Sequence, residues 1–263
     1  MLIRGSAGGM SRFCASRGKD VRIASRIGIG RIELPDIADF LQKVSIYAIP
    51  VVVAITFHEA AHGYVAYKKG DPTALMLGRV TLNPLRHIDP VGTILVPVML
   101  LLMGTRMVFG WAKPVPVNFR LLQNQKWDPI LVSAAGVVTN FGLAVFSGIL
   151  FRLLTAYDPE ILAAVMGRDV GGEAAFRVVT VPLVLMSVIS VQFNLLLAVF
   201  NMIPIPPLDG GRIAVGLLPH RASMVLASVE RYGMLIIIAL FMFGPVGVIW
   251  RPVQFLSSVL LGG

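Results

Sequence analysis

Cysteine is almost absent from this 263-residue chain: Cys14 stands alone, which excludes an intramolecular disulfide and any metal site built on thiolates. A metal bound here must use histidine and carboxylate. Charge is also scarce, at 14% of residues against 56% hydrophobic, and mean hydropathy is +0.79, outside the range of an ordinary soluble domain. No polar stretch is long enough to make a separate soluble domain. The apolar residues fall instead in long runs divided by short basic loops, the pattern of one membrane domain over residues 31–263. The formal charge of +9 does not point to nucleic acid, because the Lys and Arg residues are scattered among loops with no basic face or interleaved aromatics to read bases.

Residues 1–30 lack the apolar core of about 7–15 residues that a signal peptide needs. Basic and rich in Gly, Ser and Arg, they read as a disordered tail, which initiation at Met10 would shorten. From Leu34 the series Leu34, Ile37, Leu41, Val44 recurs at helical spacing, with Pro35 suited to a first helical position and Asp36 and Asp39 in the opening turn. That predicts a short interfacial helix leading into the first transmembrane run, 45–67, which is apolar apart from His58, Glu59 and His62 and ends at Lys68-Lys69-Gly70. Two further runs, 130–154 and 178–203, reach the roughly twenty residues that about 30 Å of hydrocarbon requires. The run 232–261 is interrupted by Gly244-Pro245 and Arg251-Pro252, which reads as two segments or one tilted helix. In all, four to six transmembrane or re-entrant helices are expected in an all-α polytopic fold, joined by short extended loops.

Loop charge orients these runs, since Lys and Arg are retained on the cytoplasmic side. Loops 68–90 and 105–129 each carry four basic residues against two and one acidic, whereas 155–177 carries two basic and four acidic. The first two loops therefore share the inner side, which favours a re-entrant hairpin for the segment between them, roughly 91–110, with a full span as the other reading. The basic tail stands against this scheme, because a first helix ending inside places the tail outside.

The chemistry lies in Phe57-His58-Glu59-Ala60-Ala61-His62. On a helix, H-E-x-x-H sets both imidazoles on one face, able to bind one zinc, with Glu59 beside the water that zinc activates. Glu59 would take that water's proton and pass it to the leaving amine, so the reaction class is metal-assisted hydrolysis of a peptide bond. Three fixed residues arise by chance in roughly 3% of chains this long, but ionisable residues inside a hydrophobic helix are expensive and usually functional. The competing structural reading is a set of buried polar groups paired with a neighbouring helix. A zinc needs a third protein ligand, and Asp209 in Asn201-Met202-Ile203-Pro204-Ile205-Pro206-Pro207-Leu208-Asp209-Gly210-Gly211 supplies the carboxylate for one Zn²⁺ per chain. The three prolines there cannot continue a helix, which suits a cleft within the membrane. Asp209 could equally cap a helix starting near Gly210.

Together these two motifs resemble the site-2 protease family of intramembrane zinc metalloproteases, whose pattern is an early H-E-x-x-H and a late L-D-G. Gly70-Asp71-Pro72-Thr73-Ala74, Gly78-Arg79-Val80-Thr81-Leu82-Asn83-Pro84, His87-Ile88-Asp89-Pro90-Val91-Gly92-Thr93 and Gly110-Trp111-Ala112-Lys113-Pro114-Val115-Pro116-Val117-Asn118 resemble a compact bacterial branch of it, without PDZ or CBS domains, over about 40–255. The resemblance implies His58, His62 and Asp209 as zinc ligands and Glu59 as the base. It also implies membrane-protein substrates with transmembrane helices, in a multi-pass protein of the bacterial inner membrane. Ala134-Ala135-Gly136-Val137-Val138-Thr139-Asn140 is similar to the family's A-G-P-x-x-N stretch, with Val137 in place of proline. Asn140 is therefore the candidate for holding substrate or stabilising the oxyanion, a task suited to an amide donor, or else it packs helices, as Ala134, Gly136 and Gly142 can. His87 and His220 read as loop or interfacial residues. Lys113-Pro114-Val115-Pro116-Val117 cannot become helical. In relatives a similar segment offers an edge strand to substrate, and a plain connector is the other reading.

Two other classes remain. A non-catalytic membrane protein that binds zinc or a partner helix would need the ligands but not Glu59. A transporter would use intramembrane His and Asp without needing their spacing.

Overall fold

The computed structural model describes residues 37–103, 110–167, 174–243 and 246–262. The basic tail expected over 1–30 and the Leu34–Asp36 start of the interfacial helix lie outside the described residues. The chain divides into two compact units, 1–41 and 42–263; of the first, only the opening turn of a helix is described, and the rest of this account concerns the second.

Helix α1, Ile37–Lys68, is continuous, so the expected interfacial helix and first span are one element. Nothing around Val44 and Ser45 breaks a helix: no Gly or Pro occurs between Ile37 and Ile49. After a short α2 (Thr73–Met76) come a π-helical turn, Pro90–Leu95, and α3, Val96–Leu102. At about 1.5 Å of rise per residue this pair extends roughly 20 Å, too short to span. The chain then returns on itself, with Trp111 N–H donating to Gly92 O at 3.1 Å and Thr93 Oγ1 to Trp111 O at 2.9 Å. That is the turn-back expected of 91–110, of which 104–109 lie outside the described residues.

The remaining helices are α4 Trp127–Tyr157, α5 Ile161–Val165, α6 Ala174–Asn201, α7 Asp209–Leu217, α8 His220–Ser228, α9 Gly233–Phe243 and α10 Val246–Leu261. Three stretches, Val44–Lys68, Trp127–Tyr157 and Phe176–Asn201, are long and apolar enough to cross a membrane. In the last apolar run two helices are described, Gly233–Phe243 and Val246–Leu261, and the Gly244-Pro245 position that the sequence marks lies outside the described residues. No strand forms among the described residues, and the fold is that of an all-α polytopic membrane protein.

Side-chain pairs set the helix directions. His62 meets Val132, and Ala54 meets Asn140, so α1 and α4 run antiparallel. Asn140 meets Asn194 and Ser147 meets Ser190, so α4 and α6 do too. Helix α10 lies parallel to α4: Val253 packs with Ala144, Val191 and Leu195, and Arg152 donates to Leu260 O. Burial follows the logic of lipid. Asn140, Asn194, Ser147, Ser187 and Thr180 face inward, while Phe146, Val138, Leu153 and Val178 are more than 60% exposed on the outside, as hydrocarbon solvent favours. At the far end of α4, Arg177 forks onto Asp158 and Glu160 and ties the acidic 155–177 connection.

Candidate metal centre

Helical spacing puts His58 and His62 one turn apart on α1, with ring centroids 4.6 Å apart and edge to face. Each ring is oriented through Nδ1. His62 Nδ1 lies 2.7 Å from Val132 O; a carbonyl only accepts, so that nitrogen carries the proton and Nε2 keeps its lone pair. His58 Nδ1 lies 2.5 Å from Asn140 Oδ1. The amide's own hydrogens go to Ala54 O at 3.2 Å and Asn194 Oδ1 at 2.8 Å, so its oxygen is the end turned to His58, and His58 Nε2 is bare as well.

Asp209 comes from beyond the C-terminus of α6, at the same end of the bundle as His62, as the first residue of α7. The preceding N-cap is Leu208, with no side-chain cap, so the carboxylate is not spent on capping. Its Oδ2 stands 3.3 Å from His58 Nε2 and 3.4 Å from His62 Nε2, and the two Nε2 atoms are 3.0 Å apart. Ligands on a tetrahedral zinc with bonds near 2.0–2.1 Å are about 3.3 Å from one another. Asp209 Oδ2 is buried with no hydrogen-bond partner, and it faces two lone pairs. Three acceptors converging without a proton between them, two of them buried and His62 partly so, call for a cation. Among the described residues, these three form the cluster able to hold one.

Gly136 makes room for it. A Cβ at this position would sit 2.5 Å from both His58 Cε1 and His62 Nε2, so any larger residue intrudes on the site. Gly136→Ala is expected to lower zinc affinity about 10-fold or more by displacing ligands, measured by chelator competition on the purified chain. Affinity equal to wild type would show that the rings have room to spare.

Glu59, half-buried, is held from a different direction. Its Oε2 accepts the Val115 N–H at 2.7 Å. Pro114 and Pro116 have no N–H, so Val115 is the single backbone donor of that triplet. The surrounding strap, 110–118, is fastened along its length. Arg79 Nη2 donates to Lys113 O at 2.7 Å and Pro114 O at 3.2 Å, Lys113 N–H goes to His87 O, and Asn118 N–H reaches Asp71 Oδ2 at 2.6 Å. Asp71 is fully buried and takes Thr73 N–H and Oγ1 on its other oxygen. Asp71→Ala should destabilise this fastening by about 1.5–3 kcal/mol, the range for hydrogen bonds to a charged group. Limited proteolysis should then cut 110–118 faster with zinc content unchanged; an unaltered cleavage rate would mean the other clamps suffice.

A helix-borne H-E-x-x-H joined by a carboxylate as third ligand, in a bundle of membrane-length helices, defines a zinc metalloprotease of membrane type. The chain belongs to Peptidase family M50, which it matches over residues 46–244. It is 42% identical over 204 residues to "Putative zinc metalloprotease YwhC" of Bacillus subtilis, covering 77% of this chain and 83% of that one. "Putative zinc metalloprotease Rip2" of Mycobacterium tuberculosis is 26% identical over 191 residues, 73% of this chain and 64% of its own length. No solved structure matches. The protein is a zinc metalloprotease, with Zn²⁺ as its cofactor.

The structure brings His58, His62 and Asp209 together, with Glu59 on the same helix as the histidines. It places Asn140 differently from the oxyanion expectation, since both of its amide hydrogens are taken by Ala54 and Asn194 and its oxygen serves His58. His87 is buried in the loop region with Nε2 on Thr81 O at 3.0 Å, and His220 is exposed at the start of α8. Three contributors escaped the sequence reading. Asn194, fully buried in an apolar helix, carries the same signal of cost that marked His58. Asp71 and Arg79 sit in quoted motifs, but nothing in the sequence told which backbone atoms they would hold.

Proposed function

We propose that the protein hydrolyses peptide bonds in or beside the transmembrane segments of other membrane proteins, as a multi-pass enzyme of the bacterial inner membrane. The observation that carries this is depth. His58 and His62 lie within the stretch Val44–Lys68, six to ten residues short of its end, so about 9–15 Å inside it at 1.5 Å per residue. A substrate reaching them must enter the same layer.

In this reading His58, His62 and Asp209 hold the zinc. Zinc supplies Lewis acidity toward a carbonyl and brings the ionisation of water close to neutral pH. Glu59 takes the proton from the attacking water and returns it to the leaving amine. Val115 N–H fixes one oxygen of Glu59 and leaves the carboxylate's remaining lone pairs for that transfer. Asn140 acts on the reaction by positioning His58. The strap has backbone groups beside the site to which an unwound substrate can add as an extended strand.

The test is cleavage of a panel of single-span substrates by zinc-loaded protein in liposomes, with product ends mapped by mass spectrometry. Chelator-sensitive cuts within or next to the span support the proposal. Stoichiometric zinc with no cleavage of any substrate would favour a non-catalytic binding protein of this fold, and cuts confined to water-soluble peptides would remove the membrane substrate.

A further inference from the structure

We propose that Asn194, whose hydrogen bonds go to Asn140 and Ser190 and not to a metal ligand, is a positioning residue of the metal centre that acts through Asn140 to keep the metal-facing nitrogen of His58 bare. The inference rests on the zinc site above and extends it to α6.

The argument starts from a group that cannot be reversed. The Ser190 carbonyl oxygen only accepts, and Asn194 Nδ2 lies 2.9 Å from it and 3.2 Å from Ser190 Oγ. The NH₂ end of Asn194 therefore points along α6 and its oxygen points to α4, where it is 2.8 Å from Asn140 Nδ2. With Ala54 O as a second acceptor on the same nitrogen, the orientation of Asn140 follows, and its Oδ1 must receive the proton of His58 Nδ1. A neutral imidazole protonated at Nδ1 has its lone pair at Nε2, the atom facing Asp209 and His62. Reversal at any link would present an N–H where an acceptor is needed, ending with a proton on Nε2 in competition with the metal.

Burial makes the relay consequential. Asn140 and Asn194 are both 0% exposed, so no water can stand in for a lost partner, and an unpaired amide in this setting is costly. Ser147 Oγ, 2.8 Å from Ser190 Oγ, ties the far end of the relay back to α4. The two histidines are thus oriented by unlike devices: His62 by a backbone carbonyl in one step, His58 by two side-chain amides across three helices. Only His58 depends on α6.

The full-length protein in detergent provides the test. Asn194→Leu keeps the size of the side chain and suits an apolar helix, but removes the acceptor for Asn140. Zinc affinity, read by chelator competition, is expected to fall about 10–100-fold, the usual consequence of losing an outer-shell partner. The absorption spectrum of the cobalt-substituted protein should change with it. Because Asn194 acts through Asn140, Asn140→Leu/Asn194→Leu should bind zinc no more weakly than Asn140→Leu alone.

Asn194→Asp provides the rescue. Buried among apolar helices, the new carboxyl stays neutral, so its O–H can donate to Ser190 O while its other oxygen accepts from Asn140. Affinity should then stay within about threefold of wild type, a small effect beside that of a lost outer-shell partner. The ring-nitrogen shifts of ¹⁵N-labelled His58 in the metal-free protein give a direct reading: a single Nδ1–H tautomer in wild type and Asn194→Asp, a mixture in Asn194→Leu. Wild-type affinity and tautomer in Asn194→Leu, or losses that multiply in the double variant, would overturn the proposal while leaving the zinc site intact. Absence of zinc binding by wild type would overturn the site itself, and the proposal with it.

Discussion

Glu59→Gln is expected to lower kcat by roughly 10²–10⁴-fold, the usual contribution of a positioned general base, while zinc stays bound. Glutamine keeps the length of the side chain, and its amide oxygen can still accept the Val115 N–H that Glu59 holds at 2.7 Å, so the strap remains fastened. What it loses is basicity. Glu59 is not among the three atoms that converge on the metal, so the metal content of the variant should equal that of wild type. Initial cleavage rates paired with metal analysis on the same sample separate these effects. A variant within a few-fold of wild type would remove Glu59 as the base, and loss of zinc would recast it as part of the binding site.

Asp209→Ala should act on the metal first. Without the carboxylate, the two bare imidazole nitrogens remain 3.0 Å apart with no anion to complete the site, and zinc affinity is expected to drop about 100-fold or more. Linkage makes this visible without any substrate. A ligand bound only by the folded state stabilises it by about 2.7 kcal/mol at a hundred times its Kd. Wild type should therefore melt higher as zinc is added, and Asp209→Ala should show no such rise at the same concentrations. An unchanged zinc-dependent shift in the variant would mean that another group supplies the third ligand.

The legible parts of this protein are those where sequence distance equals spatial distance or where hydrocarbon sets a hard price on polarity. H-E-x-x-H becomes a pair of facing imidazoles because four residues are one helical turn. The long runs became α1, α4 and α6 because lipid tolerates little else, and the basic loops on either side of 91–110 favoured its return over a crossing. Asp209 was a candidate because a site without thiolates needs a carboxylate and this one follows an apolar run directly, in a motif that resembles the family's late L-D-G. Less could be read where partners meet across helices. Whether Asn140 would face a substrate or a histidine depends on Ala54 and Asn194, residues 86 and 54 positions away, and no local pattern encodes that. The clamps on the strap are of the same kind, because Asp71 and Arg79 act on backbone atoms whose sequence carries no trace of being held.

The end-to-end tie between α1 and α4 sets a tolerance for chain length. Lys69 O accepts Gln123 N–H, and Lys69 Nζ lies 3.4 Å from Asp128 Oδ1. The stretch from that tie to His62 and the stretch from Asp128 to Gly136 thus behave as two rulers of nearly matched length. Removing one residue between His62 and Lys69 would turn the histidines by about 100° about the helix axis and aim them away from Asp209 and the space left by Gly136. The loop beyond sets a different length: Arg79 and His87 within it hold the strap, so an insertion around Leu77 or Leu82 would leave the histidines facing Asp209 and loosen the hold of Val115 on Glu59.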